Sequence, residues 1–186
     1  FKNKVSGYEE LRRRTTSNGK DWTPVEVVFV GYGLSPSVIH EDGKYRMWTV
    51  NITQRPFVIE YRESNNPSDW SSPVEVPINY KEGEDNHEPW HLQVFKERNG
   101  LYHLILNTFV SGYNGQRLMW GTSSDGMSFD NVKTILTPAD QSASWDGATL
   151  YRASVVKVDD LYRMYYSARG KNRRWNVGLI EGERMD

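Results

Sequence analysis

A repeated hairpin unit constrains the fold of this chain more than any other feature of its sequence. Each copy of the unit has an apolar strand, a tight turn and a second strand that begins with or soon reaches an aromatic residue. The copies are SPSVIHEDGKYRMWTV from Ser35, HLQVFKERNGLYHLIL from His91 and RASVVKVDDLYRMYYS from Arg152. Asp, Asn and Gly tolerate the positive φ angles of short hairpin turns. The turns are Asp42-Gly43, Asn99-Gly100 and Asp159-Asp160.

A second unit lies between these hairpins and has a polar turn, a large aromatic residue and another strand. The aromatic residues are Trp22, Trp70 and Phe129, and we predict that they pack between neighbouring sheets. Helix signals are nearly absent. Short apolar runs separated by turn residues, which recur at a longer period, predict an all-β repeat fold.

Two inner and two outer strands per repeat predict four-stranded sheets arranged around an axis, which is a β-propeller. We assign residues 1–29 to the outer half of a blade, 30–78 and 88–136 to two whole blades, and 150–186 to an incomplete blade. The chain is therefore expected to form one propeller domain, 1–186, with about three and a half blades. Because a closed propeller has at least about four blades, we expect the chain to be part of a larger ring.

Composition excludes several classes of partner and site. The formal net charge is -1 and the pI is about 6.5, so neither nucleic acid nor an anionic membrane is an expected partner. There is no Cys, which excludes disulfides, thiolate catalysis and Cys-based metal sites. Aromatic residues make up 13% of the chain, and such rings either fill a sheet core or bind sugars.

Several strings resemble two groups of five-bladed propellers, and the resemblance covers nearly the whole chain. SPSVIHEDGKYRMW and TSSDGMSF are similar to glycoside hydrolases of families 43, 32 and 117. PWHLQVF, LYRASVVKVDDLYRMYYSA and WNVGLIE are similar to receptor-binding tail proteins of phages that infect Gram-positive bacteria. The first resemblance implies a central funnel that holds three carboxylates. The second implies recognition of cell-wall glycopolymers, such as teichoic acids, by a trimeric tail protein.

The aligned repeats place Ser35, His91 and Arg152 at the funnel positions, and none of them is a carboxylate. Glycoside hydrolysis needs two carboxyl groups that flank the scissile bond. Rim carboxylates are available on the loops that lead into inner strands, where Asp85 and Glu88 precede one strand and Asp146 precedes another. One alternative is that Glu88 and Asp146 form a catalytic pair. The other is that these two carboxylates have a structural role and form hydrogen bonds or ion pairs with His91 and Arg152 at the rim.

Sugar binding needs aromatic platforms together with polar groups that meet hydroxyls. Trp90-His91 and Tyr151-Arg152 supply both at equivalent positions, and Trp145-Asp146 adds a further pair. An Arg beside a His suits an anionic ligand such as a phosphodiester-linked polymer. The alternative role of Arg152 is an internal salt bridge to Asp146.

We expect neither a metal nor a cofactor. His87, Glu88 and His91 have H-E-x-x-H spacing, but the motif binds zinc on a helix, and Pro89 with its flanks predicts loop and strand. In a strand the two His would lie roughly 13 Å apart, too far for one ion. Basic clusters at 12–14 and 169–174 are either solvated edges or contacts to a ligand or partner.

The sequence therefore predicts non-catalytic recognition of a bacterial cell-surface glycan by part of a phage tail receptor-binding protein. The ligand-binding residues are predicted to be Ser35, Trp90, His91, Trp145, Asp146, Tyr151 and Arg152. A homotrimer within a longer chain, on the virion or secreted, is expected. The alternative function is a glycoside hydrolase of the same fold with relocated carboxylates, and a purely structural platform is a third class.

Overall fold

The computed structural model describes residues 10–31, 33–84, 87–109, 116–140 and 144–185. The regular structure in these ranges is strand throughout. The strands are β1 (Glu10–Arg13), β2 (Glu26–Val30), β3 (Leu34–Glu41), β4 (Lys44–Asn51), β5 (Val58–Ser64), β6 (Val74–Val76), β7 (Ile78–Tyr80), β8 (Glu88–Lys96), β9 (Tyr102–Phe109), β10 (Arg117–Ser123), β11 (Phe129–Leu136), β12 (Thr149–Val158), β13 (Leu161–Arg169) and β14 (Trp175–Gly182). Across the described ranges we find no helix with the length and apolar character needed to span a bilayer.

The strands form four sheets in chain order. β1 pairs with β2, and β3 to β6 form a four-stranded antiparallel sheet. β8 to β11 form the next antiparallel sheet, and β12 to β14 form a three-stranded one. The predicted all-β class and the repeated four-stranded sheets are confirmed. β3, β8 and β12 are the first strands of their sheets, and β8 packs against both of the others.

One strand departs from the regular repeat. β7 begins at Ile78, which the sequence places at the end of the second blade, but it pairs in parallel with β11 of the following sheet. Pro77 separates it from β6 and has no N–H for a ladder, and its carbonyl accepts a hydrogen bond from the Phe129 N–H at 3.0 Å. The blade limits taken from the sequence stay predictions.

The inner hairpins turn at the residues that the sequence indicates. Asp42 and Gly43 have φ angles of 49° and 74°, both in the left-handed region. Gly100 has a φ of 90° and Asp159 a φ of 55°. These turns therefore need residues that tolerate positive φ, and they connect β3 to β4, β8 to β9 and β12 to β13.

Trp48 lies at the centre of the core between the second and third sheets. Its side chain is fully buried, with ring centroids 5.4 Å from Tyr61 and 6.0 Å from Tyr102. Its indole N–H donates to the Gly126 carbonyl at 2.8 Å, so it also joins the two sheets by a hydrogen bond. A second core, centred on Leu150, Met164 and Tyr166, lies between the third and fourth sheets.

The aromatic residues of the second unit differ in burial. Phe129 is fully buried in the core around Trp48, as predicted. Trp70 is half-buried, and its indole donates to the Pro67 carbonyl at 3.1 Å within its own turn. Trp22 is 50% exposed, so the prediction that it packs between sheets is wrong. Its sheet, β1 and β2, has only two strands in the described residues and offers less surface to cover the ring.

Side chains of the inner strands tie each sheet to the next through the backbone. The Ser37 hydroxyl accepts from the Val94 N–H at 2.9 Å and donates to the Val94 carbonyl at 3.1 Å. At the equivalent position one sheet on, the Gln93 amide accepts from the Val155 N–H at 2.7 Å and donates to its carbonyl at 3.0 Å. The same joint is therefore used twice, and it fixes the positions of β3, β8 and β12 relative to one another.

We expect Gln93→Ala to lower the free energy of unfolding by about 1–3 kcal/mol, because it leaves the backbone N–H and carbonyl of Val155 without their partners. Urea denaturation followed by tryptophan fluorescence measures the change. Asn65→Ala, an exposed amide in the turn after β5, is the control and should shift stability by less than about 0.5 kcal/mol. Equal effects of the two substitutions would show that the joint contributes nothing.

Candidate functional site

The three inner strands share an irregularity near the end at which they begin. The register shifts between Leu34 and Ser37 in β3, between Pro89 and His91 in β8 and between Leu150 and Ala153 in β12. Such bulges re-aim side chains and are frequent next to binding sites. They occur at the predicted funnel positions, Ser35, His91 and Arg152. Alignment of the three repeats places these residues at equivalent positions, and each lies within the irregular part of its strand.

Ser35 and His91 are in direct contact across the interface of β3 and β8. The Ser35 hydroxyl and the Nδ1 of His91 share a hydrogen bond. Ser35 has a φ of 55°, a conformation that non-glycine residues seldom adopt and that often occurs at functional sites. A hydroxyl can donate or accept, so it matches Nδ1 whichever nitrogen of a neutral imidazole carries the proton.

His91 is a buried, neutral imidazole at neutral pH. Its exposed fraction is 4%, and its Nε2 is buried without a hydrogen-bond partner in the described residues. Burial, with the positive charge of Arg152 as the second cause, lowers the pKa of His91 from its ordinary value of 6.5 to about 4. The Nε2 of His91 is therefore a buried polar atom whose hydrogen-bonding capacity the described residues leave unused.

Arg152 is exposed, and it forms no ion pair with any residue in the ranges that the structure describes. The internal salt bridge to Asp146, one alternative from the sequence, is absent there. Asp146 instead accepts hydrogen bonds from the hydroxyls of Ser144 and Tyr166, the latter at 3.3 Å. The Arg152 guanidinium is therefore available to an anionic ligand.

Ser35, His91 and Arg152 line one cleft of about 560 Å³ between the inner strands, a volume typical of small-molecule sites. Asn107 on β9 also lines it; this side chain is buried, and its Oδ1 has no hydrogen-bond partner among the described residues. The sequence did not indicate Asn107, because it lies on the second strand of its sheet. The described residues that line the cleft include no carboxylate.

Two predicted aromatic residues lie beside the cleft. The Tyr151 ring meets the His91 ring edge-on, with centroids 4.5 Å apart. The Trp90 ring contacts the other side of His91 at 5.6 Å and stacks on Phe57 at 6.0 Å. Both rings are half-buried, so each keeps some surface for a ligand.

Trp145 and Asp146 do not lie on the cleft in the structure. The Trp145 ring packs on Tyr166 at 5.6 Å and lies against Gly178, where a Cβ would come within 2.6 Å of its edge. Asp146 is held in the same loop by Ser144 and Tyr166. Their contacts support a structural role, in which this loop covers the fourth sheet, so the predicted ligand-binding role of both residues has no support from their position.

Glu88, the other candidate for catalysis, is engaged by its neighbours. It forms a 2.5 Å ion pair with Arg55 and accepts from the Phe57 N–H at 3.0 Å. Asp85 lies outside the described residues. Glu88 and His91 lie in β8, and His87 directly precedes that strand. In the described ranges no group of three or more His, Asp or Glu side chains is placed to hold a metal ion.

Comparison with solved structures identifies the architecture. An N-acetylgalactosamine deacetylase from F. plautii, solved with blood group B trisaccharide, matches 99% of this chain and 61% of its own, with 20% identity and a TM-score of 0.74. An endo-arabinase from Bacteroides thetaiotaomicron matches 95% of this chain and 68% of its own, with 12% identity and a TM-score of 0.73. The match to a family 117 glycoside hydrolase from Zobellia galactanivorans covers 82% of this chain and 53% of the hydrolase, with 14% identity and a TM-score of 0.67.

No family model and no curated protein matches the chain in sequence. The chain spans 61% of the length of the deacetylase that it matches. A thermostable family 43 glycoside hydrolase has the same relation, with 93% of this chain and 61% of its own covered at a TM-score of 0.70. The predicted fold class is thereby confirmed: the chain has the β-propeller fold of the five-bladed type seen in glycoside hydrolases of families 43 and 117, with part of the ring present.

Proposed function

We propose that this protein recognises an anionic glycan without cleaving it, and that the ligand binds in the cleft between β3, β8 and β12. One observation supports this proposal above the others. The funnel positions carry a serine, a neutral histidine and an unpaired arginine, and the described cleft residues include no carboxylate. Cleavage of a glycosidic bond needs two carboxyl groups at such a site.

The chemistry of the cleft fits a phosphodiester-linked sugar or polyol chain. The Arg152 guanidinium can donate two parallel hydrogen bonds to a phosphate. His91 Nε2 and Asn107 Oδ1, both buried without partners in the described part of the chain, fit hydroxyls. The half-buried rings of Trp90 and Tyr151 suit the apolar face of a sugar.

The comparisons support a glycan as the ligand class. The matched deacetylase was solved with a trisaccharide, and the other matches are enzymes whose names are those of glycan-cleaving proteins. The resemblance of PWHLQVF, LYRASVVKVDDLYRMYYSA and WNVGLIE to phage tail proteins extends the proposal to its setting. We infer a cell-wall, teichoic-acid-like receptor and a homotrimeric receptor-binding protein of a phage tail.

The hydrolase with relocated carboxylates is the second candidate, and the geometry disfavours it. Glu88 is neutralised by Arg55, and Asp146 is bound by Ser144 and Tyr166, so both are committed to contacts within the fold. This candidate would be favoured if the unmodified chain released reducing sugar from a cell-wall polymer and if Glu88→Gln or Asp146→Asn abolished the release.

Isothermal titration calorimetry with a teichoic-acid fragment, an oligomer of glycerol phosphate that carries N-acetylglucosamine substituents, tests the proposal. We expect binding by the unmodified chain and a loss of affinity of about ten- to hundredfold in Arg152→Ala, the cost of one charge-assisted hydrogen-bonding partner. Arg98→Ala is the matched control, because Arg98 is an exposed arginine in the turn at the other end of β8. No heat at millimolar ligand, or equal effects of the two substitutions, would contradict the proposal.

A further inference from the structure

The aromatic surface at the cleft continues beyond it onto the fourth sheet. The Tyr151 ring contacts the His91 ring, and it also contacts the Trp175 ring, with centroids 5.6 Å apart. Trp175 is 52% exposed, and the Arg169 guanidinium lies 5.6 Å from the centre of its ring. A cation at this distance holds an indole ring in place. The rings therefore form a path that leads from the cleft wall to solvent.

The path ends at a basic turn. Arg169 is the last residue of β13 and pairs with both Thr149 and Trp175, so the turn 170–174 lies at the same end of the sheet as Tyr151. The turn is ordered by its own backbone: the Gly170 N–H donates to the Arg174 carbonyl at 3.2 Å, and the Arg173 N–H donates to the Gly170 carbonyl at 2.9 Å. Such order reduces the entropy cost of binding.

The cations around the path are not neutralised within the described part of the chain. They are Arg152, Arg169, Lys171, Arg173 and Arg174, and no ion pair to any of them occurs there. The Nε of Arg169 is buried and has no hydrogen-bond partner in the same ranges. In a chain with a net charge of -1, this concentration of positive charge beside exposed aromatic rings indicates a ligand that carries negative charge.

We propose that Tyr151, Trp175 and the turn 170–174 form a second subsite, which binds the units of an anionic glycan chain that follow the unit held in the cleft. This inference rests on the proposed function and makes it more specific. The ligand is a polymer whose repeating units each carry a negative charge, because both subsites combine a ring for an apolar face with cations for an anion. Affinity must then grow with chain length.

Calorimetry with a monomer, a trimer and a hexamer of glycerol phosphate, in which every unit carries an N-acetylglucosamine substituent, tests this subsite. We expect the hexamer to bind at least about tenfold more tightly than the monomer, through one additional ring and cation set. Trp175→Ala should remove most of this gain and leave monomer affinity unchanged. Trp22→Ala, which truncates a similarly exposed ring in the segment between β1 and β2, should leave both affinities unchanged.

The charges are tested in the same series. A triple variant, Lys171→Gln with Arg173→Gln and Arg174→Gln, should weaken hexamer binding and reduce its dependence on salt, because exposed charges are screened. Equal affinity for all three lengths, with Arg152 still required, would overturn the second subsite and leave the cleft proposal standing. No binding of any length would overturn both, and equal binding of a single-stranded oligonucleotide of matched charge would overturn the assignment to a glycan.

Discussion

Trp48→Ala is expected to lower the free energy of unfolding by about 3–5 kcal/mol, the largest single effect that we predict for this chain. The substitution empties a fully buried position between Tyr61 and Tyr102. It also leaves the Gly126 carbonyl without its indole donor. Because these contacts belong to two different sheets, their loss loosens the joint between the sheets as well as the core of one. Guanidinium denaturation, followed by circular dichroism, measures the change.

Trp22→Ala is the matched control for this prediction. It removes the same side chain from a half-exposed position in the segment between β1 and β2, where the ring buries less apolar surface. We expect a change below about 1 kcal/mol. If the two substitutions had equal effects, the core between the second and third sheets would not be the main source of stability.

His91 is expected to make the fold sensitive to acid. Its pKa is about 4 in the folded chain and 6.5 is its ordinary value, so between these values the unfolded chain binds a proton that the folded chain does not. The contribution of His91 to the free energy of unfolding is therefore fully present above pH 6.5 and is lost as the pH decreases towards 4. The loss from this group across the window is about 3 kcal/mol. Urea denaturation at a series of pH values measures this loss.

The variant His91→Gln isolates the contribution of this residue. Burial also lowers the pKa of His87 and His103, but both remain in the variant and cancel in the comparison. We expect the stability of His91→Gln to depend on pH less steeply than that of the unmodified chain. Asn65→Ala, which changes an exposed amide without an ionisable group, should give a curve parallel to that of the unmodified chain. Parallel curves for His91→Gln would show that the ring is not buried as described.

Local patterns were sufficient to predict the fold. Hairpin turns such as Asp42-Gly43 depend on the φ preferences of two residues, and the structure has the required angles. The parallel pairing of β7 with β11 was not predictable in the same way. It depends on contacts between residues far apart in sequence, such as Phe129 with Ile78, and on the interruption of the ladder by Pro77.

The candidate site was predictable only where the repeat itself located it. Alignment of the hairpins indicates Ser35, His91 and Arg152, and the structure lines one cleft with them. The packing of Trp145 was not predictable, because a sequence gives its distance from Arg152 along the chain and not the direction of its ring, which Tyr166 and Gly178 fix. Asn107, which lines the cleft, and Trp175, which the proposed second subsite includes, were not indicated by the sequence because neither lies on an inner strand.

The hydrogen bonds that join neighbouring sheets and the side chains that line the cleft come from different residues of the inner strands. Ser37 and Gln93 bind the main chain of Val94 and Val155, so these joints need the N–H and carbonyl groups of the two valines and not their side chains, which are buried in the cores. Ser35 and His91 lie two residues before Ser37 and Gln93, and neither of them takes part in these joints. Ser35 and His91 can therefore be exchanged without removing the joints that hold β3, β8 and β12 together.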